Sequence, residues 1–178
     1  MIRPAGLADA TAIAEIYRHY VGQTVASFEL EAPSADEMER RMVAEPRLPW
    51  LVACRDGRVI GYAYASPHHQ RPGYRWAVNV SVYLAVAEHR KGTGRALYGE
   101  LLPILRSLGY VTAIGGITLP NPASVGLHEA MGFVQVGRLA QVGFKQGRWY
   151  DVGWWQLSLR DRNAAGEEPR EPSAWSPY

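Results

Sequence analysis

Between Val82 and Ala96 the chain sets three cations, Arg90, Lys91 and Arg95, around Gly92-Thr93-Gly94. A strand pattern ends there and a helix pattern begins, so unpaired amides at the positive end of a helix face the same space as the cations. Such an arrangement holds an anion. It is neither a Walker loop, which requires Gly-Lys-Ser/Thr, nor a dinucleotide fingerprint, which requires a third glycine. Taken alone, a lone Gly-x-Gly more often means a plain strand-to-helix turn with solvated cations.

Other residues able to do chemistry are scattered. Asn79, Ser81 and Tyr83 alternate with valines, so they share one face of a strand. His128 stands in a short helix that closes with Gly132-Phe133; an imidazole there can donate or accept a proton near neutrality, or simply lie on the helix surface beside Glu129. His68 and His69 fall in a polar loop without partners at metal-ligand spacing, and are expected at a rim or surface. Cys54 sits in a strand pattern, and no serine has a nucleophile motif, so no covalent acyl carrier is expected.

The elements that position these residues follow from periodicity. Ile13, Ile16, Tyr17, Tyr20 and Val21 mark a first helix, and Ser34 with Glu37 reads as a capping box opening a second over 35–44. A hairpin joins 51–55 to 59–64 through Asp56-Gly57. Then come a long strand (76–86), a helix (92–108) that Pro103 should bend and Gly109 should end, a strand (111–118), a helix from Asn121-Pro122 to about Met131, and strands at 133–143 and 149–159. With a possible strand at 1–5, the expected class is α+β: a central twisted mixed sheet flanked by helices, with one right-handed parallel crossover.

The chain's 178 residues suffice for one domain, expected over 1–160, with a mobile tail over 161–178. One cysteine excludes a disulfide framework and a Cys-based zinc cluster, and no metal is expected. Net charge of +2 does not indicate nucleic-acid binding, and no apolar run is long enough for a membrane span. A soluble, cytoplasmic protein is the expectation.

Together, the Arg90–Arg95 loop and the Asn121-to-Phe133 helix resemble the GNAT superfamily of acetyl-CoA-dependent N-acetyltransferases, whose phosphate loop is Q/R-x-x-G-x-G/A. The stretches Tyr74 to Tyr83, Gly116 to Asn121 and Val142 to Leu157 are similar to its phosphinothricin and methionine sulfoximine acetyltransferase branch. The resemblance spans nearly all of Ile2 to Leu159. It implies acetyl-CoA as co-substrate, a small amino-acid-like acceptor, direct attack of the amine in a ternary complex, and a homodimer, for which the Trp-rich last strand is the expected surface.

By the same resemblance, Val82, Tyr83 and Leu84 match the strand whose backbone pairs with the pantetheine arm and polarises the thioester carbonyl. Arg90, Lys91, Gly92, Thr93, Gly94 and Arg95 match the pyrophosphate loop, and Asn121 matches an asparagine on the cofactor arm, beside its role as a helix cap. Tyr83 can equally be a packed strand aromatic. His128 stands where many relatives carry a tyrosine that protonates the leaving thiolate. Arg71 matches a loop arginine whose fork suits a carboxylate or phosphinate, though an exposed solubilising charge reads the same; Phe28 and Tyr74 can wall the acceptor pocket or belong to the core.

Two positions depart from the pattern. His89 replaces the first Gln or Arg of the loop. Asn79 replaces a glutamate implied to be the general base, and an amide cannot accept that proton. Asn79 is expected to hold a water with Ser81 and Tyr83 that passes the proton to His128 or to solvent, or to mark a different substrate. The competing readings are an acetyltransferase acting on peptide or protein amines, and a non-catalytic acyl-CoA-binding module.

Overall fold

The computed structural model describes residues 1–161 and 168–170. In chain order the elements are β1 (Ile2–Pro4), α1 (Ala10–Gln23), α2 (Ala35–Met42), β2 (Trp50–Arg55), β3 (Arg58–Pro67), β4 (Ala77–Leu84), α3 (Thr93–Ser107), β5 (Thr112–Leu119), α4 (Pro122–Ala130), β6 (Val134–Lys145) and β7 (Arg148–Ser158). Every expected element is present, the mixed α/β class included. Both hairpin turns, Asp56-Gly57 and Gln146-Gly147, take positive φ at both residues, which matches the twist of the strands they join.

The strands form one sheet in the order β1-β2-β3-β4-β5-β7-β6, antiparallel except for β4 and β5. That parallel pair is short. It covers Ala77 with Thr112, Val78 with Ala113 and Asn79 with Ile114. Beyond Asn79, β4 stays paired to β3 as far as Leu84, and β5 stays paired to β7 as far as Leu119, so the two central strands part.

One face of the sheet buries Val78 and Val80 against Leu97, Tyr98, Leu101 and Leu105 of α3. The other buries Val52 and Tyr62 against Ile13, Ile16 and Tyr17 of α1 and Met38 and Met42 of α2. Each such side chain contributes about 1.5–3 kcal/mol on burial. Tyr83 faces α1, its ring edge-on to Tyr17 and Tyr20 at 4.8 and 4.9 Å.

Some local expectations change. Helix α3 runs unbroken through Pro103, because its buried leucine stripe outweighs one lost backbone bond, and it ends at Gly109 with φ +100°. Only half of the capping box forms. Ser34 Oγ accepts from Glu37 N–H at 3.2 Å, but the Glu37 carboxylate is taken by Arg40 and Arg41. Within 161–178, residues 168–170 are held: Glu168 pairs with Arg75, and Arg170 donates to the Leu108 carbonyl (2.7 Å) and the Ser107 carbonyl (2.9 Å). The expectation of mobility for 162–167 and 171–178 lies outside the described residues. Among the described residues no helix is long and apolar enough to cross a membrane.

Candidate active site

Where β4 and β5 part, a cleft of about 700 Å³ opens. Its sides are Val80–Leu84 of β4 and Gly116–Thr118 of β5, and the first turns of α3 and α4 close its ends. Alternate residues of a strand aim their N–H and C=O groups at alternate neighbours. The Trp76 carbonyl accepts from Val111 and Thr112, toward β5, whereas Ala85 N–H donates to Ile60, toward β3. Val80, Val82 and Leu84 therefore aim their backbone groups to the side that β5 has left. Those of Leu84 are occupied: the Tyr20 hydroxyl donates to its carbonyl (2.7 Å) and accepts from its N–H (3.1 Å). Those of Tyr83 point into the β3 ladder. Of the three expected backbone contacts, Val82 is the one that faces the cleft, and Val80 joins it.

At the wide end, Gly92 takes φ +82° and α3 starts without a side-chain cap. The first helical bond is Ala96 N–H to the Gly92 carbonyl, which leaves the N–H groups of Thr93, Gly94 and Arg95 without helical partners. Arg90 and Arg95 are exposed and line the cleft. Lys91 lies outside it, its Nζ 3.3 Å from buried Glu88, which also holds Arg55 at 2.7 Å. His89 Nε2 lies 2.9 Å from the Tyr20 hydroxyl. Since that hydroxyl gives its one proton to Leu84, the imidazole is the donor and belongs to the cleft wall.

Asn121 Oδ1 accepts from Ser124 N–H at 3.1 Å, so the cap forms as expected and the amide nitrogen is what remains for a ligand. His128 is 4% exposed. Its Nδ1 donates to the Ser124 carbonyl (2.8 Å), which leaves Nε2 to accept from the Tyr98 hydroxyl at 3.2 Å. Burial lowers the His128 pKa, so the ring is neutral at neutral pH, and burial raises that of Tyr98. The neutral imidazole and its phenol partner both line the cleft, on the α3 face of the sheet. The bare backbone of Gly115 makes room: a Cβ there would stand 2.5 Å from Nε2.

Asn79 does not lead to His128. It is on the opposite face, its Nδ2 donating to the Pro67 carbonyl (3.2 Å) and its Oδ1 3.0 Å from His68 Nδ1, so both polar atoms are engaged and the branch of the expected relay that ends at His128 lacks a path. Arg71 is exposed, Tyr74 is 47% exposed and packs on His68 and His69, and neither lines the cleft. Phe28 packs on Gly143 of β6, where a Cβ would overlap its ring. Sequence reasoning placed Tyr20 in a helix stripe and at the start of a segment, Tyr20 to Phe28, expected to face the acetyl group, but missed its hydroxyl's hold on Leu84; it missed Tyr98, which sits beside the stripe of α3, altogether. Among the described residues no cluster of His, Cys, Asp or Glu could hold a metal ion.

The family described as acetyltransferase (GNAT) domain matches residues 2–154. The chain is 40% identical over 159 residues to phosphinothricin N-acetyltransferase of Streptomyces viridochromogenes, covering 87% of this chain and 85% of that one. It is 38% identical over 166 residues to L-methionine sulfoximine/L-methionine sulfone acetyltransferase of Salmonella typhimurium, covering 92% and 96%. The crystal structure of a phosphinothricin acetyltransferase from Sinorhizobium meliloti in complex with AcCoA superposes with a TM-score of 0.88 at 38% identity, covering 97% of this chain and 94% of that one.

Proposed function

The chain belongs to the GNAT acetyltransferase family, and from that premise we propose that it transfers acetyl from acetyl-CoA to the amino group of a small amino-acid-like acid. One observation carries the reading: a gap in the sheet that exposes unpaired β4 backbone leads to an uncapped helix start flanked by Arg90 and Arg95. A long ligand with a diphosphate at one end and amide groups along its arm answers both features. Thr93, Gly94 and Arg95 amides with the two guanidiniums hold the phosphates, and Val80 and Val82 take the place of strand partners for the arm. A donor aimed at the thioester oxygen is worth about 3 kcal/mol in the transition state.

On this reading the amine attacks the thioester carbon directly, the C–N bond forms, the C–S bond breaks, and the thiolate takes up a proton on the side of the cleft where His128 and Tyr98 lie. The acceptor enters from the opposite face, where Arg71 on its exposed loop meets the acid group. The names of the relatives, phosphinothricin and methionine sulfoximine acetyltransferases, support an amino-acid-like acceptor.

A homodimer is part of the proposal. Strand β6 is one edge of the sheet, and beside it Val134, Val136, Val142, Phe144 and Trp149 are all more than half exposed. A second copy is the occupant this apolar edge suits. The support comes from β6 and from Trp149 at the start of β7 rather than from the whole Trp-rich strand, since Trp155 is buried. Cytoplasmic residence belongs to the same proposal, with the single free thiol of Cys54 in its support.

Steady-state CoA release across a panel of amino acids, beside calorimetry with acetyl-CoA, tests the reading. Turnover on free amino acids is expected. Turnover on peptides alone, or acetyl-CoA binding without turnover on any amine, would overturn it.

A further inference from the structure

We propose that His68 takes the proton from the acceptor amine and that Asn79 is the positioning residue that makes it a base; the inference rests on the acetyl-transfer reading of the cleft. Asn79 Nδ2 donates to the Pro67 carbonyl, which can only accept, so the orientation of the amide is fixed. Its Oδ1, also only an acceptor, then faces His68 Nδ1 at 3.0 Å. The proton of the neutral ring therefore sits on Nδ1, and Nε2 keeps its lone pair. An amide that cannot itself replace a carboxylate base can in this way orient one.

The location suits the task. Asn79 is the last β4 residue paired to β5, so the pair stands at the vertex where the cleft opens. It lies on the same face as Ser81, the next residue on that side of the strand, which lines the cleft. The His68 ring has the edges of Tyr74 and Trp154 beside it, at centroid distances of 6.0 and 6.4 Å. Trp154 in turn covers Gly116 of the cleft wall, where a Cβ would be 3.3 Å from the indole. Of the loop's charged groups, Arg71 and Arg75 are exposed, and Arg75 is paired with Glu168. His128 lies on the other face. The two histidines thus divide the proton traffic, one facing the incoming amine and one facing the leaving sulfur.

The step balances. The ammonium gives one proton to His68 Nε2, and the freed lone pair forms the C–N bond. The thioester C–S bond breaks, and the second amine proton goes to the thiolate. The imidazolium, with Nδ1–H still on Asn79, returns its proton to water through the exposed loop.

The test compares His68→Gln, Asn79→Leu and Asn79→Asp with wild type, reading kcat/KM against pH and acetyl-CoA affinity. The wild-type turnover measured first bears on the acetyl-transfer reading, and the variants bear on the base. His68→Gln is expected to lower kcat/KM at pH 7 by about a hundredfold, the lower end for positioned proton transfer, with acetyl-CoA affinity unchanged. The deficit should shrink as pH rises toward the amine's own pKa, where solvent supplies the neutral nucleophile. Asn79→Leu should show the same pH-dependent deficit, and Asn79→Asp, which still accepts from Nδ1–H, should restore activity. A His68→Gln deficit that is absent, or equal at every pH, overturns the proposal. So does an Asn79→Leu profile parallel to wild type.

Discussion

Substituting Gly115 by alanine adds one methyl group, and its cost follows from the surroundings of His128. The new Cβ would lie 2.5 Å from Nε2, about an ångström inside contact distance. The ring has nowhere to go: Nδ1 is tied to Ser124, and the rings of Phe133 and Tyr98 stand edge-on at 5.0 and 5.3 Å. Overpacking of this kind costs about 1–3 kcal/mol, and separating Tyr98 from Nε2 leaves buried polar groups unpaired at about 1–3 kcal/mol more. The expected total is about 2–6 kcal/mol, a fall in Tm of roughly 5–20 °C for a domain of this size. Urea unfolding of Gly115→Ala, His128→Ala and the double variant measures it. With the ring removed, the methyl has nothing to strike, so the double variant should match His128→Ala and the coupling should equal nearly the whole Gly115→Ala loss. Additive effects, or a Gly115→Ala variant within 0.5 kcal/mol of wild type, would refute the packing argument.

Charge reversal at Arg90 and Arg95 together should weaken acetyl-CoA binding at least tenfold, about 1.4 kcal/mol, by calorimetry, whereas reversal of Lys91 alone should matter far less because Glu88 already holds it. The His128 pKa is lowered in the folded protein, so the unfolded chain binds the proton more readily. Stability from this group is complete above the unfolded value of about 6.5 and is lost as pH falls below it, and His128→Phe should flatten that part of the stability curve. Arg71→Ala should raise KM for amino acids far more than for their amides. Leu139→Arg with Val142→Arg, both on exposed β6, should convert a dimer to a monomer in light scattering without loss of the fold.

The elements were legible because their signals are local: Asp56-Gly57 for a turn, Asn121-Pro122 for a helix start, the valine alternation of β4 for its two faces. The anion end of the cleft was legible for the same reason, since its residues are consecutive. What could not be read was which groups already have partners. Lys91 and Arg90 are adjacent and alike in sequence, and only the fold sets Glu88 beside the first. Leu84 and Val82 share a strand and a direction, yet the Tyr20 hydroxyl, 64 positions away from Leu84, occupies one and not the other. Asn79 looked like a gap in the chemistry until β3 brought the His68 ring to its side chain.

The seam between β4 and β5 makes the sheet two leaves joined along one margin, like a book open at the spine. Helix α3 is bound mainly to the first leaf, β1 to β4, and α4 to the second, through β5. The Tyr98–His128 bond therefore works as a clasp between the covers, reinforced where Gly94 lets α3 press on Leu127. A ligand lying in the opening adds missing rungs to both leaves. It should slow amide exchange at Val80 and Val82 and stiffen the spine itself, so that the rigidity of the whole sheet reports whether the cleft is filled.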